Sequence, residues 1–307
     1  MKTKDVYLKT MKFVWLKLAL GSAMILFSLI TMAIFLAIGS LGKGGGVAIA
    51  FWLWLFLVCG VFVWVQRYFG YMLKAGHIAM VTTAVTTGSL PDNQLEAAKS
   101  MVKERFATTN VYFVVDRLVS GAVSQLQSGL QKIDNVLGGI PGVSIVVSFA
   151  KMFVQIALGY VDECCLGYTF LHKEQSAFKS AADGVVIYFQ NWKKLLKDAA
   201  VTALIVVGIS VLAWLLPFVI FTAIFSAFGV SWIFALFIGI MFAAVIRSSF
   251  VDSYMMVKMM VSYMEVAPTT QITFDLYDKL CKLSSKFKNL FTKGQQEQPT
   301  QYNNVQM

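Results

Sequence analysis

The chain has 307 residues, of which 58% are apolar or aromatic and only 14% are charged, against about 25% charged in ordinary soluble domains. Lys and Arg outnumber Asp and Glu by 26 to 16, a formal net charge of +10. This composition excludes a soluble globular enzyme, a disordered chain and a collagen-like fibre. It points to an all-α, polytopic membrane bundle whose surplus cations flank the spans on the cytoplasmic side, facing anionic lipid.

The first apolar run, 18–41, is too long for a signal-peptide core and is followed by no small-residue cleavage site, so it is expected to remain as a span. The glycine-rich stretch 42–46 turns the chain into a second span, 47–68. After the Pro91 break, Asp92 or Asn93 is placed to cap a cytoplasmic helix over about 92–106.

Residues 108–134 form an amphipathic helix. Val111, Val115, Leu118, Ala122, Leu126, Leu130 and Ile133 recur every three or four residues on one face. Arg117, Ser120, Ser124, Gln127, Gln131 and Asp134 recur on the other. An uncharged turn at 137–142 leads into 143–171, which is long enough to cross a bilayer but carries Lys151, Gln155, Asp162 and Glu163. A connector over about 174–197 is amphipathic. Its Phe178, Val185, Tyr188, Phe189 and Trp192 suit a membrane interface beside Lys193, Lys194 and Lys197. Two further spans, 199–228 and 231–261, meet at a turn near Gly229. The membrane domain thus covers 1–265. The basic tail 266–307 is expected to be disordered after about residue 294, where it becomes Gln- and Asn-rich.

Basic residues crowd the N-terminal tail, 71–107, 172–198 and the segment after 265, and are sparse in the turns at 42–46, 137–142 and 227–230. Both termini are then cytoplasmic and the number of spans is even. Six spans are expected, in the inner or plasma membrane, with cytoplasmic termini. The alternative is four spans, with 108–134 and 143–171 forming cytoplasmic or interfacial helices. Charge counting does not separate these two.

No catalytic motif is present, and no enzyme activity is expected. Cys59, Cys164, Cys165 and Cys281 show no CxxC spacing and only His77 and His172 accompany them, so no metal site or cofactor is expected. The cations are too scattered for nucleic-acid binding. The methionines from 255 to 264 are read as packing residues, Arg247 as a cation reaching the cytoplasmic boundary, and most tryptophans as belt residues near span ends.

The functional candidate is the polar hairpin 117–163. In a crossing helix, Ser120, Ser124, Gln127 and Gln131, with Lys151 and Gln155, would line a water-filled path for a small solute, because lipid offers such groups no hydrogen-bond partner. Folding the hairpin about residue 139 sets Arg117 opposite Asp162 and Glu163, an ion pair or gate at the cytoplasmic end. A chain this short has little interior volume, so a homo-oligomer is expected. The alternative function is a non-transporting membrane scaffold that recruits partners through its basic cytoplasmic face.

Residues of about 118–266 resemble the C-terminal half of the choline-transporter-like family. The similarity lies in LQSGLQKIDNVLGG (126–139), CCLGYTFL (164–171), FQNWKKLLKDAA (189–200) and FVDSYMMVKMMVSYMEV (250–266). The resemblance implies transport of a small organic cation such as choline. It carries no binding residue over, since no motif matches closely enough; that family is also longer, with about ten spans and a sizeable external loop. A path positively charged at Lys151 would instead favour anions.

Overall fold

The computed structural model describes residues 2–42, 45–106, 109–134, 158–227 and 232–297, and among them the protein is all-α, without strands. The helices are α1 (Thr3–Lys9), α2 (Met11–Ser40), α3 (Gly46–Val65), α4 (Tyr71–Thr87), α5 (Gln94–Phe106), α6 (Thr109–Asp134) and α7 (Val161–Leu171). There follow α8 (Ala177–Gln190), α9 (Trp192–Ala227), α10 (Trp232–Ile246), α11 (Asp252–Val266), α12 (Phe274–Leu283) and α13 (Ser285–Glu297). Two π-helical turns, Gln66–Gly70 and Arg247–Val251, join α3 to α4 and α10 to α11 without a break.

Among the described residues, three helical stretches are long and apolar enough to cross a membrane: Met11–Ser40, Gly46–Thr87 and Ile238–Thr269, with a shorter apolar stretch at Val211–Ile224. The 42 residues of Gly46–Thr87 reach ~63 Å at 1.5 Å per residue, about twice a bilayer's hydrocarbon thickness. No Pro falls within it, and its internal Gly60, Gly70 and Gly76 keep helical backbone; Gly88, at a φ of 75°, takes the left-handed conformation that ends it.

The chain divides into two compact units. One consists of 11–74 and 207–253. Its large apolar side chains face outward: Phe56 is 83% exposed, Trp52 67% and Ile30 60%. Such a surface is stable in lipid and not in water. Inside this unit α2 and α3 form an antiparallel hairpin. The Trp54 indole donates to the Ser28 carbonyl at 3.0 Å. Gly39 and Gly46 sit so close that a Cβ on Gly46 would lie 2.6 Å from the Gly39 carbonyl oxygen. Gly239 meets the backbone of Phe218 in the same manner, closing α9 onto α10.

The other unit consists of 1–10, 75–206 and 254–307. It has a dense core in which Ile78, Val115, Cys164, Cys165, Ala181, Val186 and Met259 are fully enclosed. Asn93 caps α5: its Oδ1 accepts from the Glu96 amide at 3.3 Å and its Nδ2 donates to the Glu96 carboxylate at 2.8 Å, a reciprocal cap. The methionines of α11 are packing residues here, with Met255, Met256, Met259, Met260 and Met264 all buried.

One sequence expectation needs correction. In the connector 174–197, Phe178, Val185 and Tyr188 do not face a membrane interface but are buried, because α8 packs between α7 and α13; Trp192, Lys193 and Lys194 are exposed. In the tail, Tyr277 and Leu280 on α12, and Phe287 and Leu290 on α13, each form a buried stripe. Residues 298–307 and the turn 137–142 lie outside the described residues.

Candidate functional site

The polar hairpin belongs to the second unit. α6 turns Tyr112, Val115, Val119, Ala122 and Leu126 into the core; of the expected apolar face Val115, Ala122 and Leu126 are buried, Val111 and Leu118 only half-buried, and the side chains of Leu130 and Ile133 lie outside the described residues. The helix packs against α5, α7, α8, α12 and α13. On its other side Ser120 donates to the Asp162 carboxylate at 3.3 Å. The hairpin arithmetic sets Arg117 opposite Asp162 and Glu163; the hydrogen bond to Asp162 is made by Ser120, three residues further on. Arg117, one turn away, is exposed and lies over the Phe113 ring at 5.0 Å. Asp162 and Glu163 occupy the first turn of α7, half-buried, where carboxylates favour the helix N-terminus. Ser124 is exposed. Lys151 and Gln155 lie outside the described residues, as do the side chains of Gln127 and Gln131.

Next to this stripe stands Gln125, which the sequence reading did not single out. Its Oε1 accepts from the Ser284 hydroxyl at 2.7 Å and from the Lys286 amide at 3.2 Å, and its Nε2 donates to Ser285 at 3.2 Å. Ser284 in turn accepts from the Phe287 amide at 3.1 Å. A side chain from the middle of α6 thus completes the N-terminal cap of α13, satisfying an amide that the helix itself cannot.

From this anchor the C-terminal helices close over α8. Phe287 and Leu290 are fully buried. Gly294 allows the two backbones to touch: a Cβ there would lie 2.8 Å from the Lys179 Cα and amide nitrogen. Lys293 lies over the Phe178 ring at 5.4 Å. At the centre of the contact, Asp183 is 2% exposed. Its Oδ1 accepts from both the Lys179 ammonium and the Tyr277 hydroxyl. Lys179 also reaches the Tyr277 oxygen at 3.3 Å. Burial, then the Asp183 charge, pushes the Tyr277 phenol well above its ordinary range, so it remains a donor.

A second polar group fastens the α7–α8 loop. The Arg105 guanidinium donates to the Gln175 carbonyl at 2.8 Å, the His172 carbonyl at 3.1 Å and the Ser180 hydroxyl at 2.9 Å. Burial lowers its pKa to about 10, against the opposing pull of Glu174 and Glu297. Beside it His172 bonds Glu174 at 2.8 Å, and Lys173 bonds Glu104 at 3.1 Å.

The contacts of Asp183, Lys179 and Tyr277 tie α8 to α12, while in the Arg105 group the buried Arg105 Nε and Gln175 Oε1 have no hydrogen-bond partner. No trio of His, Cys, Asp or Glu among the described residues is placed to hold a metal ion. The i, i+4 spacing of Lys179 and Asp183 was a usable sequence signal for the pair. Nothing local could have announced Gln125 or Tyr277, whose partners lie more than 90 residues away. Comparison with protein-family models, with curated proteins and with solved structures finds no match to this chain.

Proposed function

We propose that this protein is a multi-pass membrane scaffold. In this reading four segments cross the bilayer: α2, α3, the C-terminal half of α9, and α10. Both termini and the second unit lie on the cytoplasmic side. That unit offers partners a basic exterior, including exposed Lys99, Lys103, Lys193, Lys194, Lys282 and Lys288, which suits acidic surfaces.

The observation that carries the reading is the clasp at Gln125. The middle of α6 is hydrogen-bonded to the start of a polar helix with Lys286, Lys288 and Lys293 on it. A helix so charged does not enter hydrocarbon, so the neighbouring stretch of α6 is read as extramembrane and its polar face as a docking surface for the tail.

Reconstituted into liposomes, the full-length protein should leave choline and chloride flux at the level of protein-free vesicles. Saturable choline uptake would overturn the scaffold reading in favour of the transport that the family resemblance implies. Chloride conductance reversed by Lys151→Glu would overturn it in favour of a channel along the hairpin.

A further inference from the structure

The two π-helical turns lie at one level of the membrane unit. The Trp54–Ser28 hydrogen bond fixes the register of the α2–α3 hairpin. Stepping ~20 Å down both helices from that pair brings Trp15 level with Arg67, inside the first π-turn. On another side of α2, Trp15 meets Phe250 edge-on at 5.4 Å between ring centroids, and Lys17 donates to Ser253 at 2.9 Å. Gly21 sits against Val245. The second π-turn, Arg247–Val251, therefore flanks the same segment of α2 as the first.

Each π-turn also marks a change of surroundings along its helix. Before the first, Phe62, Val63 and Trp64 are exposed, and beyond it Ala75, His77 and Ile78 are fully enclosed. Before the second, Ile240 is exposed, and beyond it Met255, Val257 and Met259 are fully enclosed. An added residue in a π-turn rotates everything after it by about a quarter of a turn, which lets one continuous helix present apolar side chains outward on one side of the turn and inward on the other. At this level the surface is a ring of exposed aromatics and cations: Trp15 is 56% exposed, Trp64 56%, Tyr68 50% and Phe69 55%, with Arg67 exposed and the Arg247 side chain 61% exposed. Asp252, 3.7 Å from Arg247, is the acidic group facing it.

We propose that the two π-turns and the Trp15–Lys17 segment form a headgroup belt that binds anionic phospholipid. Arg67 and Arg247 take the phosphates, and Trp15, Trp64 and Tyr68 lie among the glycerol groups. The belt's cations complement the anionic headgroups at a depth fixed by the helix register. Aromatic rings with one polar edge favour the boundary, and guanidinium groups hold phosphate oxygens through paired N–H donors. The inference rests on the reading that these helices cross a bilayer.

The test uses the full-length protein, delipidated in detergent and titrated with dioleoylphosphatidylglycerol or dioleoylphosphatidylcholine, with bound lipid counted by native mass spectrometry. Wild type should prefer the anionic lipid by at least about ten-fold. Each Arg→Gln change should weaken that preference by about five-fold. The R67Q/R247Q pair should abolish it, and R67K/R247K, which keeps the charges but not the paired donors, should retain only part of it. K282Q/K288Q, which leaves the belt residues intact, should be without effect. Raising salt from about 0.05 to 0.5 M should reduce the wild-type preference by screening, a readout independent of any variant's folding. Glycerol phosphate, the soluble headgroup, should not displace the lipid at equal concentration. Equal binding of both lipids by wild type, or an undiminished preference in R67Q/R247Q, would overturn the belt. Failure of wild type to float with vesicles would overturn the bilayer reading and the belt with it.

Discussion

Replacing Tyr277 by Phe removes one hydroxyl from the joint between α12 and α8. The hydroxyl donates to Asp183, which is 2% exposed and also holds Lys179. A hydrogen bond to a buried charged group contributes about 1.5–3 kcal/mol. For a unit of this size each kcal/mol moves the melting temperature by about 2–4 °C, so Tyr277→Phe should lower it by roughly 3–12 °C. Asp183→Asn should cost more, about 3–5 kcal/mol, because it strands the Lys179 ammonium beside a neutral amide. The assay is thermal melting in detergent followed by circular dichroism, with tryptic release of the basic C-terminal segment as a local readout. Because the two residues touch, the double variant should lose less than the two singles together. The pH profile gives a further check. The phenol's pKa in the fold lies above its unfolded value, so the folded protein retains a proton that the unfolded chain gives up. The stability it contributes is complete below about pH 10 and declines as pH climbs past that value. Tyr277→Phe should flatten this alkaline decline. A melting temperature within 1 °C of wild type, together with additive losses across the cycle, would refute the reasoning.

Other substitutions test the neighbouring contacts. Gln125→Ala leaves the Lys286 amide and the Ser284 hydroxyl without their partner from α6 and should cost about 1–3 kcal/mol, seen as faster tryptic cleavage after Lys282 and Lys286. Gly294→Ala gains up to ~1 kcal/mol of helix propensity but drives a Cβ to 2.8 Å from the Lys179 backbone. Overpacking of about 1–3 kcal/mol should win and lower the melting temperature. Trp54→Phe removes the donor to the Ser28 carbonyl and should weaken the α2–α3 hairpin by about 0.6 kcal/mol, the usual size of an interhelical bond in a membrane protein, measured as a shift in the detergent-denaturation midpoint.

Much of the helical framework was legible from the chain. The runs 18–41 and 47–68 are apolar on every side, and α2 covers the first to Ser40 while α3 and the π-turn after it cover the second; helices of that length and composition are candidates to cross a membrane. A cap at Asp92 or Asn93 was readable from the residues after Pro91, and Asn93 is the one that caps α5; spacing also gave part of the buried face of α6, Val115, Ala122 and Leu126. What spacing did not reveal was the company each face keeps. An amphipathic helix looks the same whether its polar side borders a water path, solvent or another helix, and α6 directs Gln125 to a helix that begins about 160 residues later. The connector 174–197 was misread for a related reason. Its lysines suggested an interface, but Lys179 turns inward to Asp183 and Gly184 lets α8 press against Cys165, so the helix is a core element. Long-range partners of this kind leave no periodic trace.

The account stands on the side of the membrane occupied by the polar hairpin. A single cysteine at Gly139, in a protein lacking the four native cysteines, should be read with an impermeant maleimide in sealed vesicles of known orientation, beside a reference cysteine at Lys279. Four spans require that both positions label only from the cytoplasmic side. Labelling of Gly139→Cys from the opposite side, with the Lys279→Cys reference still cytoplasmic, would mean that α6 crosses the bilayer and would contradict the scaffold reading.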